Sequence, residues 1–137
     1  MKIREMMTSA PVTVALSDPA SEAAKAMREH GIGAVLIQEQ GKLAGIVTDR
    51  DIIVRVLAQG RDPRHVPVSE IASREIVAIG PDDDTEDAAR LIAEHAVRRI
   101  PVVEDGVAIG VVSLGDLELT KSERTPLADV SAAPPST

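Results

Sequence analysis

The chain of 137 residues contains no cysteine, phenylalanine, tyrosine or tryptophan. Without cysteine it forms no disulfide, thiolate nucleophile or cysteine-based zinc site, which is compatible with a reducing cytoplasm. Without aromatic rings it cannot stack bases as most single-strand binders do. The net charge of −7 opposes binding to duplex phosphates. We therefore expect no direct contact with nucleic acid.

Long apolar runs are also missing. No run reaches the roughly 18–20 residues that a membrane span requires, and Met1–Met7 carries charge where a signal peptide would be apolar. We expect a cytoplasmic protein without membrane association. The chain also lacks a Gly-x-Ser-x-Gly elbow, a Walker loop and an HExxH pair, so we expect neither catalytic residues nor enzymatic activity.

The chain contains the same sequence repeat twice. Ile3–Ile52 aligns with Val68–Leu117 without a gap, at an offset of 65 residues and with 12 identities in 50 positions; about three would arise by chance. A single repeat of about fifty residues buries little apolar surface by itself. We therefore predict two similar halves that share a core about a pseudo-twofold axis, with a cleft between them that equivalent residues line twice.

Apolar periodicity predicts the order β-α-β-β-α in each repeat, an α/β (α+β) fold. The first helices should end at Gly31 and near His95, and the hairpins should turn at Gly41 and Gly106. The remaining predicted elements are short strands at Val12–Val14 and Ile76–Ile79, and second helices at about Asp49–Gln59 and Leu114–Thr120. Residues 1–60 form repeat one, 61–67 a linker, 68–122 repeat two, and 123–137 a disordered tail rich in Pro, Ser and Ala.

The predicted helix Asp49–Gln59 is apolar around most of its circumference. A helix with one solvated side has a narrower apolar stripe. We therefore expect this helix to contact both its own sheet and a symmetric partner, which predicts a homodimer.

Three segments carry a family resemblance: Gly45-Ile-Val-Thr48-Asp-Arg-Asp51, Gly110-Val-Val-Ser113-Leu-Gly-Asp116, and Val97–Val103. With the tandem topology, they resemble a pair of CBS domains, the Bateman module, from Met1 to about Thr120. The chain is similar to small stand-alone bacterial members, including a hypoxic-response type. The resemblance implies a non-catalytic sensor that binds AMP, ADP, ATP or S-adenosylmethionine between the repeats, pairs as a disc of two modules and signals to an effector protein. The alternative is a dimerisation or adaptor scaffold that needs no ligand.

Two hydroxyl–acid pairs begin the second helices, Thr48-x-x-Asp51 and Ser113-x-x-Asp116. One interpretation is a capping box, in which each side chain satisfies a backbone N–H of the other residue. The other is ribose binding, in which aspartate accepts from the 2′- and 3′-hydroxyls and Thr or Ser donates to ribose or phosphate. A glycine precedes each pair inside a strand, where a missing side chain lets another group approach. Capping and binding can coexist.

Arg98 and Arg99 precede a strand in an acidic protein, and the equivalent residues of the first repeat are Gly33 and Ala34. They are either solvated, paired with Asp or Glu, or able to grip a phosphate through parallel N–H bonds. The resemblance implies that the residue matching Arg99 contacts phosphate. Arg50 is a second candidate and has Gly115 as its counterpart, so the two sites should be unequal.

The absence of aromatics predicts that adenine lies against aliphatic strand residues. The candidates are Val12, Val14, Ala34, Val35, Ile79, Ile100 and Pro101. His30 and His95 each end a helix, where the helix dipole favours them, and only His65 remains as a third histidine. We therefore expect no structural metal and no required cofactor, although Mg²⁺ can accompany a bound ATP.

Overall fold

The computed structural model describes residues 1–122, with side chains described as far as Glu118. The predicted tail, 123–137, lies outside the described residues. The fold is mixed α+β with two three-stranded sheets, which confirms the predicted class. The strands are β1 Thr8–Ser9, β2 Thr13–Ala15, β3 Ala34–Glu39, β4 Lys42–Thr48, β5 Arg99–Glu104 and β6 Val107–Ser113, and the helices are α1 Ala20–His30, α2 Asp49–Arg55, α3 Thr85–His95 and α4 Leu114–Ser122.

The first helix of each repeat forms where the sequence predicts it. Helix α1 buries Ala20, Ala23 and Met27 on one face and ends at Gly31, whose φ of 63° suits a residue without a side chain. Helix α3 starts with a capping box between Asp84 and Asp87. Sequence periodicity and end signals therefore located both helices.

Both hairpins turn through two residues with positive φ. These are Gln40 and Gly41 in the first repeat and Asp105 and Gly106 in the second. This pairing is typical of the two-residue turn that matches the twist of the flanking strands. The predicted hairpins β3–β4 and β5–β6 are confirmed as antiparallel pairs.

Four details differ from the sequence prediction. Helix α2 stops at Arg55, the next residue, Val56, has a φ of −116°, and a 3₁₀ turn, Leu57–Gln59, follows. Helix α4 continues to Ser122. The predicted strand Ile76–Ile79 is reduced to one bridge, between Ile79 and Val102. Strand β1, which pairs antiparallel with β6, was not predicted.

Compact packing divides the chain differently from the sequence repeats. Of the described residues, one unit comprises 12–76, and the other comprises 1–11 together with 77–122. We call them the first and second units. Residues 1–11 and 68–76 are the starts of the two repeats, so each repeat gives its first segment to the unit that contains the rest of the other repeat. Each unit thus depends on both repeats.

The two exchanged segments are seated in the same way. The amide of Ile3 donates to the carbonyl of Asp83 at 2.9 Å, and the amide of Val68 donates to the carbonyl of Asp18 at 2.8 Å. Ile3 is fully buried in the core of the second unit, and Val68 is fully buried in that of the first. Burying such a side chain contributes roughly 1.5–3 kcal/mol.

Ion pairs at the surface also join each exchanged segment to its unit. The Nε of Arg4 donates to Oδ1 of Asp82 at 3.1 Å, and this hydrogen bond together with the guanidinium charge lowers the pKa of Asp82. In the first unit Arg61 pairs with Glu70. Water and salt screen exposed ion pairs, so they contribute little, and the buried aliphatic side chains contribute more.

Gly45 and Gly110 lie where the exchanged segments approach most closely. A Cβ on Gly110 would lie 2.8 Å from the carbonyl oxygen of Thr8 and 2.6 Å from the sulfur of Met7. A Cβ on Gly45 would lie 3.0 Å from the carbonyl oxygen of Ser73. The exchanged segments themselves therefore approach each glycine, through backbone at Gly45 and through backbone and the Met7 side chain at Gly110. The interpretation of these glycines as a sign of ligand binding was wrong.

We predict that Gly110→Ala lowers the free energy of unfolding by about 1–3 kcal/mol, the usual cost of overpacking, and that Gly45→Ala has a smaller effect. Urea denaturation measures the stability, and hydrogen exchange at the Ile3 amide reports release of the N-terminal segment. Gly115→Ala is the control, because its Cβ would meet only the Ser113 hydroxyl at 3.6 Å. Wild-type stability and protection in Gly110→Ala would contradict the account.

Candidate functional site

The first hydroxyl–acid pair lies where β4 ends and α2 begins. The amide of Thr48 donates to Oδ2 of Asp51 at 2.9 Å, and the amide of Asp51 donates to Oγ1 of Thr48 at 3.1 Å. These reciprocal bonds satisfy two backbone donors that a helix start leaves open. The capping-box interpretation is confirmed here.

The second pair repeats this geometry where β6 meets α4. The amide of Ser113 donates to Oδ2 of Asp116 at 3.0 Å, and the amide of Asp116 donates to the Ser113 hydroxyl, also at 3.0 Å. Both pairs are half-buried. Each unit therefore presents a carboxylate and a hydroxyl, fixed in one orientation, at the start of a helix.

Capping uses only part of the Asp51 carboxylate. Its Oδ1 lies 3.9 Å from Nε of Arg55, and 20% of its side chain is exposed. This is an ion pair without a hydrogen bond, since N–H···O bonds are near 2.9 Å. Oδ1 is chemically suited to accept a hydrogen bond from a hydroxyl such as those of ribose.

Arg55 was missed in the sequence prediction. Its Nη1 donates to the carbonyl of Ile71 at 3.1 Å, within the exchanged segment 68–76. Its guanidinium thus connects this segment to Asp51. The available signal was its spacing of four residues from Asp51, which places both side chains on one helix face.

The residues beside the two pairs are unequal. Across the hairpins, Ala34 lies opposite Thr48, and Arg99 lies opposite Ser113. Side chains of directly opposed residues are about 5 Å apart at Cβ. The structure therefore brings Arg99 to the second pair, whereas the first has only a methyl group there. The carbonyl of Arg98 accepts the amide of Leu114 at 2.7 Å, and its side chain is exposed.

Within residues 1–122, Arg50, Arg98 and Arg99 form no ion pair with Asp or Glu. Arg50 is exposed in the first turn of α2, and Arg99 is half-buried. By contrast, the side-chain hydrogen bond from Arg64 lowers the pKa of Asp62 to about 2. The three candidate guanidiniums are thus not neutralised by a carboxylate in the described part of the chain.

The proposed adenine contacts divide into two groups. The side chains of Val35, Ile79 and Ile100 are almost entirely buried and belong to the two cores, and Pro101 is buried as well. Because these four side chains are enclosed, adenine could reach these residues only through their backbone groups, and their role stays a prediction. The half-buried candidates are Val12, Val14 and Ala34.

Two of the three histidines lie at exposed helix ends. His30 and His95 are the last residues of α1 and α3. No group of three or more His, Cys, Asp or Glu within residues 1–122 could hold a metal ion. In the same range, no helix is long and apolar enough to cross a membrane.

The CBS domain family model matches residues 3–58 and 68–118. This chain belongs to the CBS domain family. The two matched segments correspond to the two sequence repeats, which confirms a tandem CBS pair.

Three similar proteins illustrate the range of the family. The CBS domain-containing protein YhcV of Bacillus subtilis (strain 168) is 43% identical over 119 residues, covering 87% of this chain and 84% of YhcV. A crystal structure of hypoxic response protein I with two coordinated zinc ions is 31% identical, with a TM-score of 0.78 over 88% of this chain and 98% of that one. The CBS domain pair of protein MJ0100, in complex with 5′-methylthioadenosine and S-adenosylmethionine, is 26% identical, with a TM-score of 0.79 over 91% and 98%.

We predict that Thr48→Ala lowers the free energy of unfolding by about 1 kcal/mol, since it removes the acceptor for the Asp51 amide. Thr48→Ser keeps that hydroxyl and should retain most of the stability. Ser113→Ala should behave like Thr48→Ala, because its bonds are the same. Urea denaturation of the four proteins checks this, and equal stability of Thr48→Ala and wild type would contradict the capping role.

Proposed function

We propose that this CBS pair is a regulatory module that binds an adenosine ligand (AMP, ADP, ATP or S-adenosylmethionine) and performs no reaction on it. The observation that carries the proposal is the duplicated pair at two strand–helix junctions, Thr48 with Asp51 and Ser113 with Asp116. In each pair the capping hydrogen bonds fix the carboxylate, and one of its oxygens accepts from a backbone amide. Because the cap already fixes the side chain, a ribose would meet it without a further loss of rotamer entropy.

Two further observations support an adenosine ligand. Both molecules in the MJ0100 complex carry an adenosyl group, and ribose is the part they share with the nucleotides. The chain offers no aromatic ring, so adenine would rest on the half-buried aliphatic residues Val12, Val14 and Ala34. Specificity for the ligand would then come mainly from hydrogen bonds to the sugar and from the charges beside it.

The charges favour a phosphate at the second pair. Arg99 lies opposite Ser113, and Arg98 adjoins it, whereas the first pair has Ala34 and Gly33 at these positions. Arg50 supplies one guanidinium on the side of the first pair. We therefore place the tighter nucleotide site at Ser113 and Asp116. Mg²⁺ would enter with ATP through the phosphates, not through protein carboxylates.

The second candidate function is a ligand-independent scaffold. The capping boxes favour it, because they explain both hydroxyl–acid pairs as helix starts without a ligand. In either case we propose a homodimer in the cytoplasm. The sensor requires the aspartates to contribute to ligand affinity, whereas the scaffold requires only their capping role. Ligand affinity and protein stability can be measured separately.

We predict that Asp116→Ala and Asp51→Ala each weaken nucleotide binding at one site by about 1–3 kcal/mol, the cost of a lost charge-assisted hydrogen bond. Titration calorimetry with AMP, ADP, ATP and S-adenosylmethionine measures the loss. Thr48→Ser serves as a control, since it keeps both cap and hydroxyl. ATP recovered afterwards should be unhydrolysed.

Two outcomes would overturn the sensor proposal. One is the absence of heat with every ligand near millimolar concentration, in protein shown to be folded and free of co-purified nucleotide. The other is a loss of stability in both aspartate variants without any loss of affinity. Either outcome leaves the scaffold.

We also predict that replacing Arg98 and Arg99 together by Gln weakens ATP binding at least tenfold while adenosine binding changes less, because only ATP presents phosphates to the guanidiniums. Arg28→Gln is the matched control, since Arg28 also lacks an ion pair within residues 1–122 but lies on α1. Equal effects on ATP and adenosine would contradict the phosphate role.

A further inference from the structure

Methionine supplies all the sulfur of this chain, since the sequence has four methionines and no cysteine. Peroxides oxidise the thioether of methionine to a sulfoxide, which is polar. Three of the four methionines, Met1, Met6 and Met7, lie in the exchanged segment 1–11. The fourth, Met27, is buried in the core of the first unit. An oxidant therefore finds its accessible targets concentrated in one segment.

The side chain of Met7 fills the space beside a glycine of β6. Its sulfur lies 2.6 Å, and its Cγ 3.0 Å, from the position that a Cβ on Gly110 would take. The side chain packs against the core of the second unit and is half-buried. Met6 is half-buried against the same core, but its atoms are not among those nearest to Gly110. Met7 thus combines tight packing of its sulfur with partial access from solvent.

Met7 also adjoins the strand that attaches the segment to its sheet. Strand β1 is two residues long and pairs with Gly110 and Val111 of β6, so the pairing supplies few backbone hydrogen bonds. The amide of Met7 donates to the carbonyl of Ile3 at 2.9 Å, and Ile3 is fully buried. The packing of Met7 therefore acts between the buried residue and the strand.

The first unit has no sulfur at the equivalent place. Ala72 corresponds to Met7 at the offset of 65 residues, and its Cβ lies 3.7 Å from the position that a Cβ on Gly45 would take. The exchanged segment 68–76 contains no methionine. An oxidant that acts on methionine should therefore affect one exchanged segment and spare the other.

We propose that Met7 is a modification site at which hydrogen peroxide loosens residues 1–11 from β6. The thioether sulfur attacks one peroxide oxygen, the O–O bond breaks, an S=O bond forms, and the other oxygen leaves as water with both protons. Sulfur loses the two electrons that the peroxide gains. The new oxygen is a hydrogen-bond acceptor beside an aliphatic core, and burying it without a donor is costly. The side chain then moves into water, and β1 loses the packing next to it.

Hydrogen exchange, followed by NMR in the full chain treated with hydrogen peroxide, measures the loosening. Oxidation of Met7, verified by peptide mass spectrometry, should speed exchange of the Ile3 amide by about tenfold or more, because that amide is protected only while the segment is seated. The Val68 amide, bonded equivalently in the first unit, is the internal control and should keep its protection. Methionine sulfoxide reductases A and B should restore protection of Ile3.

Leucine variants assign the effect to one sulfur. Met7→Leu keeps an apolar side chain of similar volume and should retain protection of the Ile3 amide after peroxide treatment. Met6→Leu is the matched control, because it alters a half-buried methionine of the same segment and leaves Met7 in place; it should still lose protection. Met7→Gln introduces a polar group without an oxidant and should loosen the segment in untreated protein. Circular dichroism verifies folding of each variant.

Four results would overturn the proposal, and none of them bears on nucleotide binding. The first is a Met7 that resists peroxide as long as the buried Met27 does. The second is full oxidation of Met7 with unchanged protection of the Ile3 amide. The third is a response that persists in Met7→Leu and disappears in Met6→Leu, which would assign the effect to Met6. The fourth is wild-type protection in Met7→Gln.

Discussion

Burial of Ile3 and Val68 is the constraint on which the rest of the structure depends. Each side chain starts one repeat and is enclosed by the core that the other repeat mostly builds. The burial is accompanied by equivalent backbone bonds to the residues before each first helix. It also brings the exchanged segments against Gly45 and Gly110, and so decides which residues of β4 and β6 tolerate a side chain.

Local elements could be predicted because their signals are local. Helix α1 and the hairpin turns at Gly41 and Gly106 follow from periodicity, end residues and turn residues that act within a few positions. The exchange of first segments could not be predicted in this way, since nothing within residues 1–11 says which part of the chain they pack against. Strand β1 was missed for the same reason, and the end of α2 at Arg55 lay within the usual uncertainty of boundaries.

The candidate site was predicted unevenly. The capping boxes at Thr48 and Ser113 have a fixed spacing, so sequence reasoning found both. A glycine inside a strand, by contrast, looks the same in the sequence whether a ligand or a backbone segment approaches it. At Gly45 the approaching group is the backbone. Strand residues such as Val35 and Ile100 were assigned as contacts because adenine has no aromatic ring to stack on in this chain, and the sequence does not show how deeply neighbouring elements enclose them.

The exchanged segments have a consequence for how such a chain can assemble. A polypeptide with a single repeat would lack the buried aliphatic residue that the other repeat supplies, and the second repeat alone would also lack strand β1; it would have to borrow them from another molecule. Joining two repeats through one linker turns that encounter into an intramolecular event, whose effective concentration is millimolar for a short flexible connection. Tandem duplication thus makes completion of each core independent of how many copies a cell contains.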